Sequence, residues 1–369
     1  MCVSAMVRSL LAVATVAVAV SAQANPPNLP NGYDVFNMPS GDVSLQFVTV
    51  GDPGNVADTT GYGSVPYVYQ MGEYDVTAAQ YCLFLNAVAM TSDPYGLYYS
   101  RMAAVGGGIG GTSGCGIVQS GSAGDYTYTV AAAYQNFPVN YITWGDAARF
   151  CNWLQNGQPS GAEGPGTTET GTYTLNDDTT NLNTETRNPG ATYFIPTENE
   201  WYKAAYYVGS GTNAGYWTYP TKSDTAPINT LPDTGNHANF YDDYDTGNGG
   251  YTDPVNYLTP VGSFALSPGS YGTYDMGGDV WQWNETDNED SFRGLRGGSY
   301  FVDSDDMASF YRNSGVPTAE HAVFGFRVAA SGVAVPEPGS ITLLLAGVMA
   351  LGIRRLRHYK SLYRKAAQA

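Results

Sequence analysis

The chain has 369 residues, 43% of them hydrophobic and only 13% charged, with a formal net charge of −17. So acidic a balance excludes a role on nucleic acid, where Lys and Arg must neutralise the phosphate backbone. Glycine (45) and tyrosine (30) are abundant, which predicts a loop-rich body held by aromatic rings rather than by long helices.

At the start, Arg8 precedes the apolar run LLAVATVAVAV at 10–20, followed by SAQA at 21–24. A basic residue, a short apolar stretch and an Ala22-x-Ala24 site predict a secretory signal peptide over 1–24. The run is shorter than a bilayer span. Beyond it remain Cys82, Cys115 and Cys151. For an exported chain this odd number leaves two arrangements open, one disulfide with a free thiol or three buried thiols.

Residues 43–50, VSLQFVTV, alternate as a strand does, and 67–76, YVYQMGEYDV, read as a second strand. Three helix starts then follow one rule. Thr77 stands three residues before Gln80, Thr143 before Asp146, and Thr197 before Glu200. This is the capping-box spacing, in which the threonine oxygen takes an orphan amide and the third side chain answers back. Apolar residues at helical spacing follow each box: Tyr81, Phe84, Leu85 and Val88; Ala147, Phe150 and Leu154; Trp201, Ala204 and Ala205. The glycine-rich stretch 106–116 and the polar stretch 156–192 are expected to be long surface loops. No Gly-Lys-Ser/Thr follows the first, so it is not a phosphate loop. Residues 206–274 show little regular pattern, and no repeat of fixed period appears.

Downstream, Trp281 and Trp283 alternate, placing two large rings on one face of a short strand. Gly277, Gly278, Gly297 and Gly298 suit tight turns, and Arg296 and Arg327 are expected to pair with carboxylates. The chain ends with VPEPGS (335–340), the apolar ITLLLAGVMALGI (341–353) and RRLRHYK (354–360). A proline-bounded apolar segment with a basic cluster behind it has the order of a stop-transfer signal. It resembles the PEP-CTERM sorting signal, expected over 335–360. That resemblance implies transient anchoring by a transmembrane helix, processing by an exosortase, and delivery to the cell surface or outside the cell. Between the two ends lie nine Lys and Arg against 32 Asp and Glu. Such a charge suits a secreted body that gathers hard cations, or one kept soluble by charge alone.

The segments YDVTAAQYCLFLNAV (74–88), FPVNYITWGDAARFCNWL (137–154), FIPTENEWYKAAYY (194–207), YGTYDMGGDVWQW (271–283), RGLRGGSY (293–300) and FGFRVA (324–329) together resemble the formylglycine-generating-enzyme, or sulfatase-modifying-factor, family. The resemblance implies one α+β domain over 40–331, with a variant C-type-lectin-like fold, few short helices and small antiparallel sheets. It also implies a chemistry. Family oxidases hold Cu(I) through two cysteines in the loop after Arg-Gly-Gly-Ser, because soft sulfur suits that ion. The corresponding positions here are Val302 and Met307, so the copper chemistry is expected to be absent.

Nearby Asp303, Asp305 and Asp306 are expected to form a solvated loop rather than an acid–base pair or a metal site, and neither His237 nor His321 receives a role. Two family calcium sites map onto this chain. One falls on Asp275, the Gly278 and Val280 carbonyls, and Gln282. The other falls on Asn239, the Phe240 carbonyl, Asp253 and the Val255 carbonyl. Glutamine at 282 keeps an oxygen but lacks the family's charge. The expected role is a calcium-stabilised binding or structural module with a polysaccharide or protein partner. The alternative is a divergent formylglycine-generating oxidase, or a non-haem-metal oxygenase, acting on exported proteins.

Overall fold

The computed structural model describes residues 44–332 apart from 107–112, 244–248 and 289–290. The signal-peptide and sorting-signal segments lie outside the described residues. Among those described, no helix is long and apolar enough to cross a membrane.

The chain enters with β1 (Phe47–Val50) and β2 (Tyr69–Gly72), then α1 (Ala78–Val88) and the hairpin β3 (Ile117–Ser120) and β4 (Thr127–Val130). Next come α2 (Trp144–Gln155), β5 (Tyr193–Phe194) and α3 (Glu198–Tyr206). Two-residue strands β6 (Tyr241–Asp242) and β7 (Gly250–Tyr251) form a second small hairpin. The last part holds β8 (Trp281–Asn288), β9 (Phe292–Arg296), β10 (Asn313–Gly315), β11 (Phe324–Gly325) and β12 (Ala329–Ser331). The expectation of a loop-rich α+β body is met.

Two four-stranded sheets organise this list. One has the order β1-β2-β12-β5 and is antiparallel throughout. It joins the first described strands to the last, so the two ends of the body close on each other. The other has the order β10-β9-β8-β11, with only β11 parallel to its neighbour.

All three capping boxes form as the spacing requires. Thr77 Oγ1 accepts from Gln80 N at 3.3 Å while Gln80 Oε1 accepts from Thr77 N at 2.8 Å. The Thr143–Asp146 pair closes at 2.9 Å in both directions, and Thr197–Glu200 at 2.7 and 3.2 Å. Each box satisfies two of the amide donors that a helix start leaves orphaned. The apolar faces behind α1 and α2 meet ring to ring: Phe84 stands 5.4 Å from Phe150, which stands 5.3 Å from Phe326.

The stretch 156–192 departs from the expected surface loop. It has no helix or strand, yet Thr168, Glu169, Thr172, Tyr173, Leu175 and Leu182 are buried. The reason lies in what holds it. Arg149 of α2 forks onto Glu169 at 2.6 and 3.2 Å. Arg187 bridges Glu200 at 3.0 Å and Glu285 at 2.8 Å. Arg293 donates to the carbonyls of Leu182 and Glu185 at 2.9 and 2.8 Å. Polar spacing in the sequence hid two arginines reaching in from other segments, Arg149 and Arg293, and one, Arg187, reaching out.

Removing one such cation leaves its carboxylate buried and uncompensated, a change that costs about 3–5 kcal/mol. Arg149→Met is therefore expected to lower the stability by that amount in urea unfolding. A loss under about 1 kcal/mol, the size of an exposed pair, would show that Glu169 does not depend on it.

Candidate functional site

The site is built on the β8–β9 hairpin. Trp281 and Trp283 are buried on one face, and Trp283 Nε1 donates to the Ile142 carbonyl at 2.8 Å. Gln282, between them, points to the other side and is also buried. The turn that follows β9 needs its glycines. A Cβ on Gly297, at φ +100°, would stand 2.7 Å from the Met276 carbonyl oxygen. Opposite, a Cβ on Gly278 would stand 2.1 Å from the Asn239 carbonyl oxygen. Both are closer than real Cβ contacts allow, so no other residue fits there without moving backbone.

Residues 297–311 leave this turn as a loop whose two ends share one anchor. Arg296 binds Glu198 at 2.7 Å and Arg312 forks onto the same carboxylate at 2.6 and 2.7 Å. Glu198 is the first residue of α3, where the helix dipole favours a negative charge. Arg296 also donates to the Ser309 carbonyl at 2.9 Å, across the neck of the loop. The expected pairing of Arg296 and Arg327 with carboxylates is met, with Arg327 3.4 Å from Asp75.

Within the loop, Val302 packs partly exposed against the core while Met307 is fully buried with Tyr219, Ala238, Phe240 and Ala308. Asp303 Oδ1 accepts from Asp305 N at 3.0 Å and starts a short 3-10 turn over Ser304–Met307. Asp305 is exposed, and the half-buried Asp306 is held by the Tyr311 hydroxyl. These acids shape a turn open to solvent. Among the described residues no three His, Cys, Asp or Glu gather as a metal site.

The three described cysteines are free, buried and far from thiolate character. Burial pushes Cys82 up to about 12 and Cys115 up to about 11, and raises Cys151 strongly as well. Of the two arrangements the sequence left open, the structure has three buried thiols.

The mapped calcium residues divide. Asp275 is 9% exposed, with Oδ2 accepting from Gly262 N at 2.7 Å and Oδ1 without a hydrogen-bond partner. It lines a shallow pocket with Met276, Gly277, His237 and Ser267. Burial lifts its carboxyl to about 6. Gln282, by contrast, is engaged: Oε1 accepts from Trp201 Nε1 and from Arg327 Nε, both at 2.7 Å.

In the second set, Asn239 Oδ1 is buried and unpartnered, while its Nδ2 donates to Asp279 Oδ1 at 2.8 Å. Asp253 Oδ1 accepts from Val255 N and Asn256 N at 2.8 and 3.0 Å, and Oδ2 from Asn256 Nδ2 at 2.8 Å. The Phe240 carbonyl accepts from Asn229 Nδ2 at 3.2 Å, and Val255 is exposed. Each set thus has one orphaned buried oxygen, on Asp275 and on Asn239, while Gln282 and Asp253 have local partners.

Asp279 lies beside the first mapped set, where the resemblance suggests that it partly offsets the charge Gln282 lacks. It is buried, takes Thr259 N at 2.9 Å and Thr259 Oγ1 at 2.7 Å, and ties Asn239 to this turn. Burial and the neighbouring Asp275 raise its carboxyl to about 7. Only its position between Gly278 and Val280 drew attention to it.

Fold and site together define a loop-rich scaffold that displays one long, arginine-anchored loop beside a tryptophan hairpin. A family model described as "Sulfatase-modifying factor enzyme 1-like domain" matches residues 60–331, and the chain belongs to this family. Among solved structures the chain is similar to Treponema denticola variable protein 1, at 17% identity, covering 79% of this chain and 97% of that one, with TM-score 0.44. It is similar to CarF at 19% identity, covering 79% and 100%, with TM-score 0.43. It is also similar to PvdO from Pseudomonas aeruginosa at 17% identity, covering 82% and 98%, with TM-score 0.44. No curated protein matches it in sequence.

Thiols with pKa values this high carry almost no thiolate near neutrality. The native protein is expected to resist iodoacetamide at pH 8, with the cysteines of its body alkylated only after unfolding. Rapid native labelling of one of the three would show a reactive sulfur.

Proposed function

We propose that this chain is an exported, calcium-stabilised binding module on the scaffold of an oxidase family, without that family's copper chemistry. The observation that carries this reading is the content of the anchored loop. At the two positions where family oxidases place thiolates stand Val302 and Met307, and Met307 is sealed in a packed cluster. A thioether and an isopropyl group supply no thiolate, and soft anionic sulfur is what Cu(I) requires in that chemistry. The three described cysteines lie in α1, α2 and the approach to β3, with their protons held by burial. The loop has kept its frame, through Arg296, Arg312 and Glu198, and lost its reagent.

Calcium enters as a structural ion. Asp275 and Asn239 each offer an orphaned buried oxygen, and the carbonyls of Gly278, Val280, Phe240 and Val255 would complete the sets with Asp253. Gln282 contributes through Trp201 and Arg327 instead. The ion would supply charge to a body with 32 acids and nine bases between its two ends, ordering carboxylates that otherwise repel. Export and surface display rest on the leader-like and tail-like segments at 1–24 and 335–360, with an exosortase-type enzyme as processing partner and a transient anchor in the tail.

Two measurements test this reading. Incubated with Cu(I), oxygen and a sulfatase-type cysteine peptide, the protein is expected to leave the peptide mass unchanged. A mass loss matching conversion of cysteine to aldehyde would establish the oxidase instead. Calcium at a hundredfold excess over Kd stabilises by about 2.7 kcal/mol, a rise in Tm of about 4 °C for a body this size. Asp275→Ala is expected to remove part of that rise, and a flat Tm across millimolar calcium would refute the ion.

A further inference from the structure

A row of aromatic rings borders the anchored loop. Tyr241 of β6 and Tyr251 of β7 are register partners with centroids 4.8 Å apart. Tyr257 stands 4.3 Å from Tyr251 and stacks on Tyr300 at 5.8 Å, with planes 13° apart. Phe301 meets Tyr300 edge-on at 6.4 Å and is 47% exposed. Tyr241, Tyr251 and Tyr257 are partly exposed. The Tyr241 amide donates to the Val302 carbonyl at 2.9 Å, which ties the row to the loop.

Elsewhere the chain places its own cations over its rings. Arg149 lies 4.4 Å from the Tyr95 centroid, Arg187 3.4 Å from Phe194, Arg293 3.9 Å from Trp144 and Arg312 4.8 Å from Tyr62. Among the described residues none lies over Tyr241, Tyr251, Tyr257 or Phe301. Arg101, an exposed arginine, is engaged by the Tyr141 hydroxyl.

The sign of the surroundings selects the occupant. Asp303 and Asp305 follow Phe301 closely in the chain, and neither makes an ion pair with Lys or Arg among the described residues. Ring faces attract cations, and so do carboxylates. A neutral glycan would gain from the rings and nothing from the acids, whereas an anionic surface would be repelled. A cationic side chain gains from both.

We propose that the Tyr241–Tyr251–Tyr257–Phe301 row is a docking strip for an arginine- or lysine-bearing segment of a partner protein. The cationic groups lie on the rings while Asp303 and Asp305 neutralise them. This deepens the binding-module reading and rests on it.

A synthetic arginine–glycine repeat peptide, titrated into the full chain by calorimetry at low salt, is the probe. Binding is expected, weakening steeply with salt, and its citrulline analogue, alike in shape but uncharged, is expected not to bind. Phe301→Leu and Tyr251→Leu, which keep apolar bulk without the ring, are each expected to weaken binding about two- to fivefold. Asp305→Asn is expected to weaken it and to flatten its salt dependence. Phe301 and Asp305 are exposed, so those two variants are informative even if Tyr251→Leu disturbs its hairpin.

No binding by the wild-type chain, equal binding of the citrulline peptide, or unchanged affinity in the Phe301 and Asp305 variants would each overturn the strip. Displacement of the peptide by a neutral oligosaccharide would reassign the rings to sugars and overturn it too. Aldehyde formation in the copper assay would remove the non-catalytic reading while leaving these titrations intact, so the two failures are separable.

Discussion

A chain that forms few ladders must find other partners for its buried polar groups, and here arginine supplies them. Arg149, Arg293, Arg296 and Arg327 are at most 1% exposed. The planar guanidinium has five donors, so one side chain satisfies carboxylates and carbonyls from several segments at once. Arg293 shows the principle: it reaches the carbonyls of Leu182, Glu185 and Glu285 while its guanidinium lies over the Trp144 ring. Segments without helix or strand are thereby tied to the core, and the anchored loop is one of them.

That use of cations shapes the outside. The body has nine bases, and Lys203 is buried along with the four arginines. Arg187 and Arg312 are bound to glutamates. The charge that remains at the surface of the described residues is mostly carboxylate. The acidic balance outside thus has its origin in positive charge that is inside, where it holds loops together. The buried Asp75 shows the cost of this arrangement. It faces Arg327 without a hydrogen bond, and burial keeps its carboxyl well above the usual range.

Much of the scaffold was legible. The three Thr boxes announce three helices because a capping box is a local interaction complete within four residues. The alternation of Trp281 and Trp283 announces a strand for the same reason, since period two is a property of the backbone alone. The stretch 156–192 was misread because its polar, glycine-rich composition looks like a solvated loop. Its burial depends on Arg149 in the preceding helix, Arg187 within it and Arg293 about a hundred residues further on. The sequence named the mapped residues and not their disposition. Val302 and Met307 could be placed by motif. That Met307 is sealed, that Gln282 has turned to Trp201 and Arg327, and that Asp253 caps its own turn could not.

The sequence by itself therefore determined the local elements, the family, and the absence of cysteine from the anchored loop, because each is a matter of residue type and short spacing. Only the tertiary structure decided which carboxylate each arginine holds, which oxygens of the mapped calcium residues stay unpartnered, and that Tyr241, Tyr251, Tyr257 and Phe301 form one row. Those outcomes join residues tens to hundreds of positions apart. Hydrogen-bond directionality and ring packing select among many pairings that composition leaves equivalent.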